Sequence, residues 1–356
     1  MEEALAATIP EKVAANSPRC DWKAIAKQRL DSLTKPVASL GRLGEIAAKM
    51  VCIQQREQPT CERKVAYVFA ADHGVTEERV SAYPKTVTEQ MVRNFLTDGA
   101  AINVLARRAG AEVVVVDVGV DADLESHPQL LQKKIRRGTR NMAVEPAMSE
   151  AEMYAALDVG NSLLNELPPS RNHMIAVGEM GIGNTTAAAA ITAALTGRQV
   201  KEVTGLGTGI SSEILLHKQQ VIEQALQLHA LKSTDPLETL RRVGGLEIAA
   251  MSGMILAARG RGVAVVIDGF ISTAAAALAY AVDRGVAEFI FAGHLSQEVG
   301  HRVLLDYIGL APILDLGMRL GEGTGAVLAM TVIEAALAIL NEMATFSSAG
   351  VSGPHA

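Results

Sequence analysis

Six apolar runs recur along this chain, each ending in glycine beside a polar or charged side chain. Residues 65–71 lead into Asp72-His-Gly, and 112–118 end in Asp117-Val, followed by Gly119. Residues 174–177 precede Gly178-Glu-Met-Gly, and 263–267 precede Asp268-Gly-Phe. Residues 288–292 precede Gly293-His-Leu-Ser, and 312–316 end in Asp315-Leu, followed by Gly317. Runs that are apolar throughout, separated by helical patterns, describe strands buried on both faces of a parallel sheet. All strands of such a sheet finish at one edge, where ligands bind. The expectation is an α/β fold, a Rossmann-like parallel sheet flanked by helices, with one polar crevice assembled from six strand tips.

The third run opens into Gly178-Glu-Met-Gly-Ile-Gly-Asn-Thr-Thr186 and then an alanine-rich segment, in the order strand, glycine turn, helix. Free N–H groups and the positive end of a helix dipole at such a turn suit an anion, most often a phosphate. The spacing nearly spells a nucleotide P-loop, but Asn184 stands where the motif has lysine, which argues against ATP or GTP hydrolysis. A second glycine-framed carboxylate, Gly321-Glu-Gly-Thr-Gly325, also precedes an apolar helix. The surroundings of the two turns differ, and no repeat of fixed period is evident. Each glutamate has two readings: a plain partner of the helix dipole, or a half-buried carboxylate with a raised pKa, able to act as a base. The glycines around Glu322 would let a ligand approach closely, and Glu179 has the phosphate cradle beside it.

Other segments read less sharply. Thr204-Gly-Leu-Gly-Thr-Gly-Ile210 is a second glycine turn, and Lys218 on the following helix is a solvated lysine unless a phosphate ligand converges on it. His73 and His294 tip two strands as structural or functional residues. Tyr83, Val87 and Met91 line a flat apolar pocket or simply pack. Residues 1–60 show two amphipathic helical segments joined by a turn-rich connector near Lys35-Pro. The tail beyond Met343 has the composition of a frayed end. Net charge is −6 with both signs scattered, which gives nucleic acid or an anionic membrane little purchase. Cys20, Cys52 and Cys61 have no metal-site spacing and read as reduced thiols. The acidic start and the charges inside the apolar stretches point to a cytoplasmic protein without membrane spans.

Taken together, Gly178–Thr186, Asp72-His-Gly-Val75, Val243-Gly-Gly-Leu-Glu247, Asp268-Gly-Phe270, His294-x-Ser296 and Met318-Arg-Leu-Gly-Glu-Gly-Thr-Gly-Ala326 resemble the nicotinate-nucleotide–dimethylbenzimidazole phosphoribosyltransferase family. The likeness runs from about Leu33 to about Met343, in the family's order. It implies transfer of phosphoribose from nicotinate mononucleotide to 5,6-dimethylbenzimidazole, giving α-ribazole 5′-phosphate and nicotinate for the lower ligand of cobalamin. It also implies a homodimer, a large α/β domain at 60–310, and a small helical domain from 1–59 and 311–345, leaving 346–356 as a flexible tail. Glu322 is the implied general base, with Glu179 at the ribose. Gly181, Gly183, Asn184, Thr185, Gly205, Gly207, Thr208, Gly209, Lys218, Asp268 and Ser296 would hold the phosphoribose. Tyr83, Val87, Met91, Met180 and Leu320 would line the acceptor-base pocket. No metal or cofactor is expected, since no pyrophosphate leaves. The best-known members have serine and glutamine where this chain aligns Tyr83 and Met91, and some have proline or lysine at Val299. These pocket changes preserve the reaction class but leave the base open among dimethylbenzimidazole, another benzimidazole, a purine and a phenol. Two rival readings are a dinucleotide oxidoreductase, which lacks the Gly-x-Gly-x-x-Gly fingerprint, and a nucleotide sensor without chemistry.

Overall fold

The computed structural model describes residues 21–168, 173–207, 209–231 and 233–352. Seven strands form one sheet in the order β3-β2-β1-β4-β5-β6-β7, and every neighbouring pair is parallel. They are β1 Arg63–Ala71, β2 Glu112–Gly119, β3 Leu130–Gln132, β4 His173–Met180, β5 Ala264–Ile267, β6 Ile290–His294 and β7 Pro312–Leu314. Six coincide with the apolar runs. The seventh, β3, is three residues long with only Leu130 buried, too short for a periodicity to declare it. β4 runs further than its apolar stretch: it continues through Met180, so Glu179 pairs in register with Phe69 and belongs to the strand rather than the turn.

Side chains alternate across the sheet as the two-residue period of a strand requires. Val65, Tyr67, Phe69, Ile175, Val177, Val265 and Ile267 face one core, with helices Glu150–Glu166, Asn184–Thr196, Leu246–Arg261 and Phe270–Val282 packed on it. Ala66, Val68, Ala70, Met174, Ala176, Ala264 and Val266 face the other, under helices Arg42–Gln54, Thr86–Leu96, Ala101–Ala109 and Thr324–Glu342. The helix Thr324–Glu342 is long and apolar enough to cross a bilayer, but 56% of its apolar window is buried and it forms the centre of the second core.

The two ends of the described chain meet on that second face. Arg29 Nε donates to the carbonyl of Leu340 at 3.1 Å, Asn341 Nδ2 donates to that of Pro59 at 2.9 Å, and Leu33 bridges Thr345. Where composition suggests a frayed tail, Phe346–Ala349 form one helical turn capped by the Thr345 hydroxyl, while residues 353–356 lie outside the described residues. Cys52 and Cys61 are free thiols, and Cys20 lies outside the described residues.

Candidate active site

Parallel strands bring the tips of β4, β5 and β6 together, and the turn before helix Thr324–Glu342 lies across them. The close approach is legible at two glycines. A Cβ at Gly178 would stand 2.5 Å from the carbonyl carbon and oxygen of Glu322, and one at Gly321 would stand 2.5 Å from Glu179 Oε1. The backbone of Glu322 is thus packed on Gly178, and the Glu179 carboxylate on Gly321. Glu322 is only 6% exposed and Glu179 only 7%.

Burial shapes both groups. The Glu322 carboxyl is pushed above the usual range by burial, with the Asp268 charge adding to it, while the Ile102 N–H, donating to Oε2 at 3.4 Å, opposes it. Glu179 is pushed up to about 8 by burial, then by Asp268 and Glu247; Asn184 Nδ2 donates to its Oε2 and works the other way. At neutral pH Glu179 therefore holds its proton in the free protein.

Asp268, at the end of β5, is 1% exposed. Its Oδ1 accepts from the N–H groups of Gly325 and Ala326 at 2.7 and 3.0 Å, and its Oδ2 from Gly323 at 3.2 Å. The sequence reading counts Asp268 with the phosphoribose ligands; in the fold both its oxygens meet the first turn of helix Thr324–Glu342. His294 Nε2 lies 3.7 Å from Oδ1 on the other side.

The cradle forms beside this cluster. Gly181, Gly183, Asn184, Thr185, Gly207 and Lys218 line one small cavity of about 30 Å³ with Val80, Ser81, Leu206 and Ile210. Gly183, at φ 100°, is the N-cap of helix Asn184–Thr196 and has no side chain with which to cap it. Lys218 is not a solvated lysine. It is 2% exposed, its Nζ donates to Thr185 Oγ1 at 2.9 Å, and burial brings its pKa down to about 8, with Glu298 opposing. Gly205 lies outside that cavity, against the Glu298 carboxylate, and Gly209 faces open space. Thr208 lies outside the described residues.

Ser296 is held from below. Its N–H donates to His301 Nδ1 at 2.9 Å, and His301 Nε2 lies 2.9 Å from Thr273 Oγ1. An acceptor Nδ1 fixes the tautomer with the proton on Nε2. Burial drives the His301 pKa down to about 3, which keeps that ring neutral. Sequence reasoning missed His301, and it missed Glu298, whose buried Oε2 has no hydrogen-bond partner among the described residues. Both sit in or beside the Ser296-Gln-Glu-Val-Gly300 segment, so position relative to Ser296 was the available signal. It also left His73 undecided. That ring is buried on Glu247, Nε2 to Oε1 2.7 Å, directly beneath Gly181 and Gly183. Burial disfavours the imidazolium, but the charge and hydrogen bond of Glu247 outweigh it and raise the His73 pKa.

A single crevice fed by all six tips is not what forms. The tips of β1 and β2 line a separate, larger cavity of about 600 Å³, with Asp72, Tyr83, Asp121 and Arg136 among its walls. Ser81 lines both cavities, so the segment 74–85 divides them. Asp117 lies within β2, bound to the Val120 N–H and Lys134, and Asp315 is exposed. The larger cavity is not the one beside the two glutamates, and chemistry rather than size identifies the site. Of the acceptor-pocket residues, Met91 and Met180 pack against the second core and Val87 is half-buried; Leu320 is exposed, and Tyr83 faces the larger cavity.

Known proteins match this arrangement along nearly its whole length. A family model described as phosphoribosyltransferase matches residues 15–351. The nicotinate-nucleotide–dimethylbenzimidazole phosphoribosyltransferase of Geotalea uraniireducens is 55% identical, over 92% of this chain and 93% of its own. That of Chloroflexus aggregans is 53% identical over the same shares. The crystal structure of CobT from Thermus thermophilus superposes with a TM-score of 0.89 at 47% identity, covering 94% of this chain and 99% of that one. This likeness sets aside the oxidoreductase and sensor readings. The chain belongs to the nicotinate-nucleotide–dimethylbenzimidazole phosphoribosyltransferase family and is an enzyme of that class.

Proposed function

We propose that this enzyme transfers phosphoribose from nicotinate mononucleotide to 5,6-dimethylbenzimidazole, with Glu322 as general base. The observation that carries the assignment is the burial of Glu322 on Gly178, at the mouth of the strand that leads into the Gly181–Thr185 cradle. The unprotonated ring nitrogen of the benzimidazole attacks the anomeric carbon, and Glu322 takes the N–H proton from its other nitrogen. The carbon–nitrogen bond to nicotinate breaks with its electron pair, which neutralises the pyridinium, so the leaving group needs no acid. One displacement with inversion turns the β substrate into the α product.

Lys218, Thr185 and the helix N-terminus at Gly183 receive the phosphate. Ser296 and Gly207 contact the phosphoribose, the latter from the wall of the cradle. Glu179, carrying its proton, faces the ribose and hydrogen-bonds one of its hydroxyls. Met91, Met180, Val87 and Leu320 form the acceptor wall, in which the first two supply the apolar floor, while Tyr83 faces the neighbouring cavity. A homodimer in the cytoplasm is part of the same reading, and light scattering coupled to size exclusion tests the dimer.

Glu322→Gln is the direct test. The expected result is a loss of about 10²–10⁴-fold in kcat, with circular dichroism and nicotinate mononucleotide binding unchanged. Formation of α-ribazole 5′-phosphate is followed by mass spectrometry. Wild-type turnover by that variant would remove the base.

A further inference from the structure

We propose that Asp268 is the positioning residue for this base: it occupies the N-terminus of helix Thr324–Glu342 so that Glu322 cannot, and it keeps a negative charge beside the Glu322 carboxylate. The proposal rests on the reading of Glu322 as the base.

A glutamate just ahead of a helix is stabilised if its carboxylate turns back onto that helix's own free N–H groups. Here those donors are taken. Asp268 accepts from Gly323, Gly325 and Ala326 at 3.2, 2.7 and 3.0 Å. Glu322 is turned instead toward a different helix, Ala101–Ala109, where it accepts one long hydrogen bond from Ile102 N–H, 3.4 Å. One carboxylate does the capping, and the other is left with unused acceptor capacity.

The backbone bears the mark of this arrangement. Gly321, Glu322 and Gly323 are consecutively left-handed, at φ 87°, 64° and 91°. The central residue of that strap is not glycine, and an L side chain there is disfavoured. The conformation persists because surrounding contacts over-determine it: Asp268 ties down Gly323, the Thr324 hydroxyl donates to Gly321 O at 2.8 Å, and Gly178 lies against the Glu322 carbonyl.

Both Asp268 oxygens accept backbone N–H groups at a helix N-terminus, and His294 Nε2 stands 3.7 Å from Oδ1; these contacts favour the anion, while burial, the largest influence, raises the Asp268 pKa above the usual carboxylate value. The charged or titratable groups facing Glu322 are then Asp268 from β5, with His294 of β6 behind it, and Glu179 from β4; helix Ala101–Ala109 presents the Ile102 N–H.

Asp268→Asn removes the charge and sets an amide among donors that need an acceptor. We expect kcat to fall about 10–100-fold, with the KM for nicotinate mononucleotide within about twofold. The acid limb of the kcat–pH profile should move to lower pH, because Glu322 loses a like-charged neighbour. A merely structural role would lower kcat without moving that limb. Asp268→Ser supplies the same readout if the asparagine variant does not fold, since a serine hydroxyl caps a helix without charge.

An acid limb that stays put in a folded variant overturns the proposal. So does a raised KM at wild-type kcat, which would make Asp268 a ribose ligand, and so does loss of the fold in both variants, which would assign Asp268 to stability alone. An inactive Glu322→Gln alongside an unmoved Asp268→Asn limb sinks this inference and leaves the base standing. A fully active Glu322→Gln removes the base itself.

Discussion

At both 181–187 and 321–327 a left-handed glycine caps an apolar helix, Gly183 in the first and Gly323 in the second. The bonding pattern repeats as well. Asn184 N–H donates to Gly181 O at 3.1 Å as Thr324 N–H does to Gly321 O, and Ala187 and Val327 return to the capping glycine. What differs is the company at the helix end. The second helix receives the protein's own anion, Asp268, while the first has Lys218 drawn up to Thr185. A helix end already neutralised is a mount for a neighbouring side chain, and one left bare beside a buried cation is a receptacle. Two turns with the same capping bonds therefore separate into holding a base and holding a phosphate.

The widest gap between the two turns should appear in kinetics. Lys218→Ala should raise the KM for nicotinate mononucleotide about 10–100-fold, the scale of a charge-assisted hydrogen bond, while the KM for the acceptor base stays put. A matching rise in both constants would dissolve the distinction between receptacle and mount. Since the Lys218 pKa lies at about 8, the mononucleotide should bind best below that pH and progressively less well above it as the ammonium is lost. Lys218→Arg should flatten the decline.

Glu179→Gln probes the ground between the turns. The folded protein keeps the Glu179 proton up to about pH 8, whereas an unfolded chain releases it near 4.5. Wild-type stability thus falls as pH rises through that window. The glutamine variant avoids the loss, so its relative stability in denaturant titrations should climb from pH 4.5 to 8 and level off, by a few kcal/mol. A gain independent of pH would place the cause elsewhere.

Gly178→Ala tests whether the turns bear on each other, because its methyl would collide with the Glu322 carbonyl. Overpacking of this kind costs about 1–3 kcal/mol, and turnover should fall with stability. The smallest effect belongs to Thr324→Val. It strips the hydroxyl from Gly321 O and should cost about 1 kcal/mol, with a few-fold loss of kcat and an unchanged KM for the mononucleotide.

The sheet was legible because β1, β4 and β5 are apolar on both faces, a pattern open to few other elements. Glu179, Glu322 and the glycines announced themselves through local order, strand then turn then helix. The split into two cavities did not, since it depends on how residues 74–85 lie across the sheet edge, and no periodicity encodes a loop's path. Asp268 illustrates a second limit. Its motif identifies a polar strand tip, but its partners are 55 or more residues away, Gly323 being the first of them. Lys218 shows the reverse error: an isolated lysine on a helix reads as solvated until packing brings Thr185 to it.

Gly178 also bears on how the enzyme comes into being. Its bare Cα receives a segment from near the far end of the polypeptide, and the helix that follows that segment fills the core against Arg42–Gln54. That seat can be filled only after the segment beyond residue 320 has been made, so the base arrives with the docking of that helix.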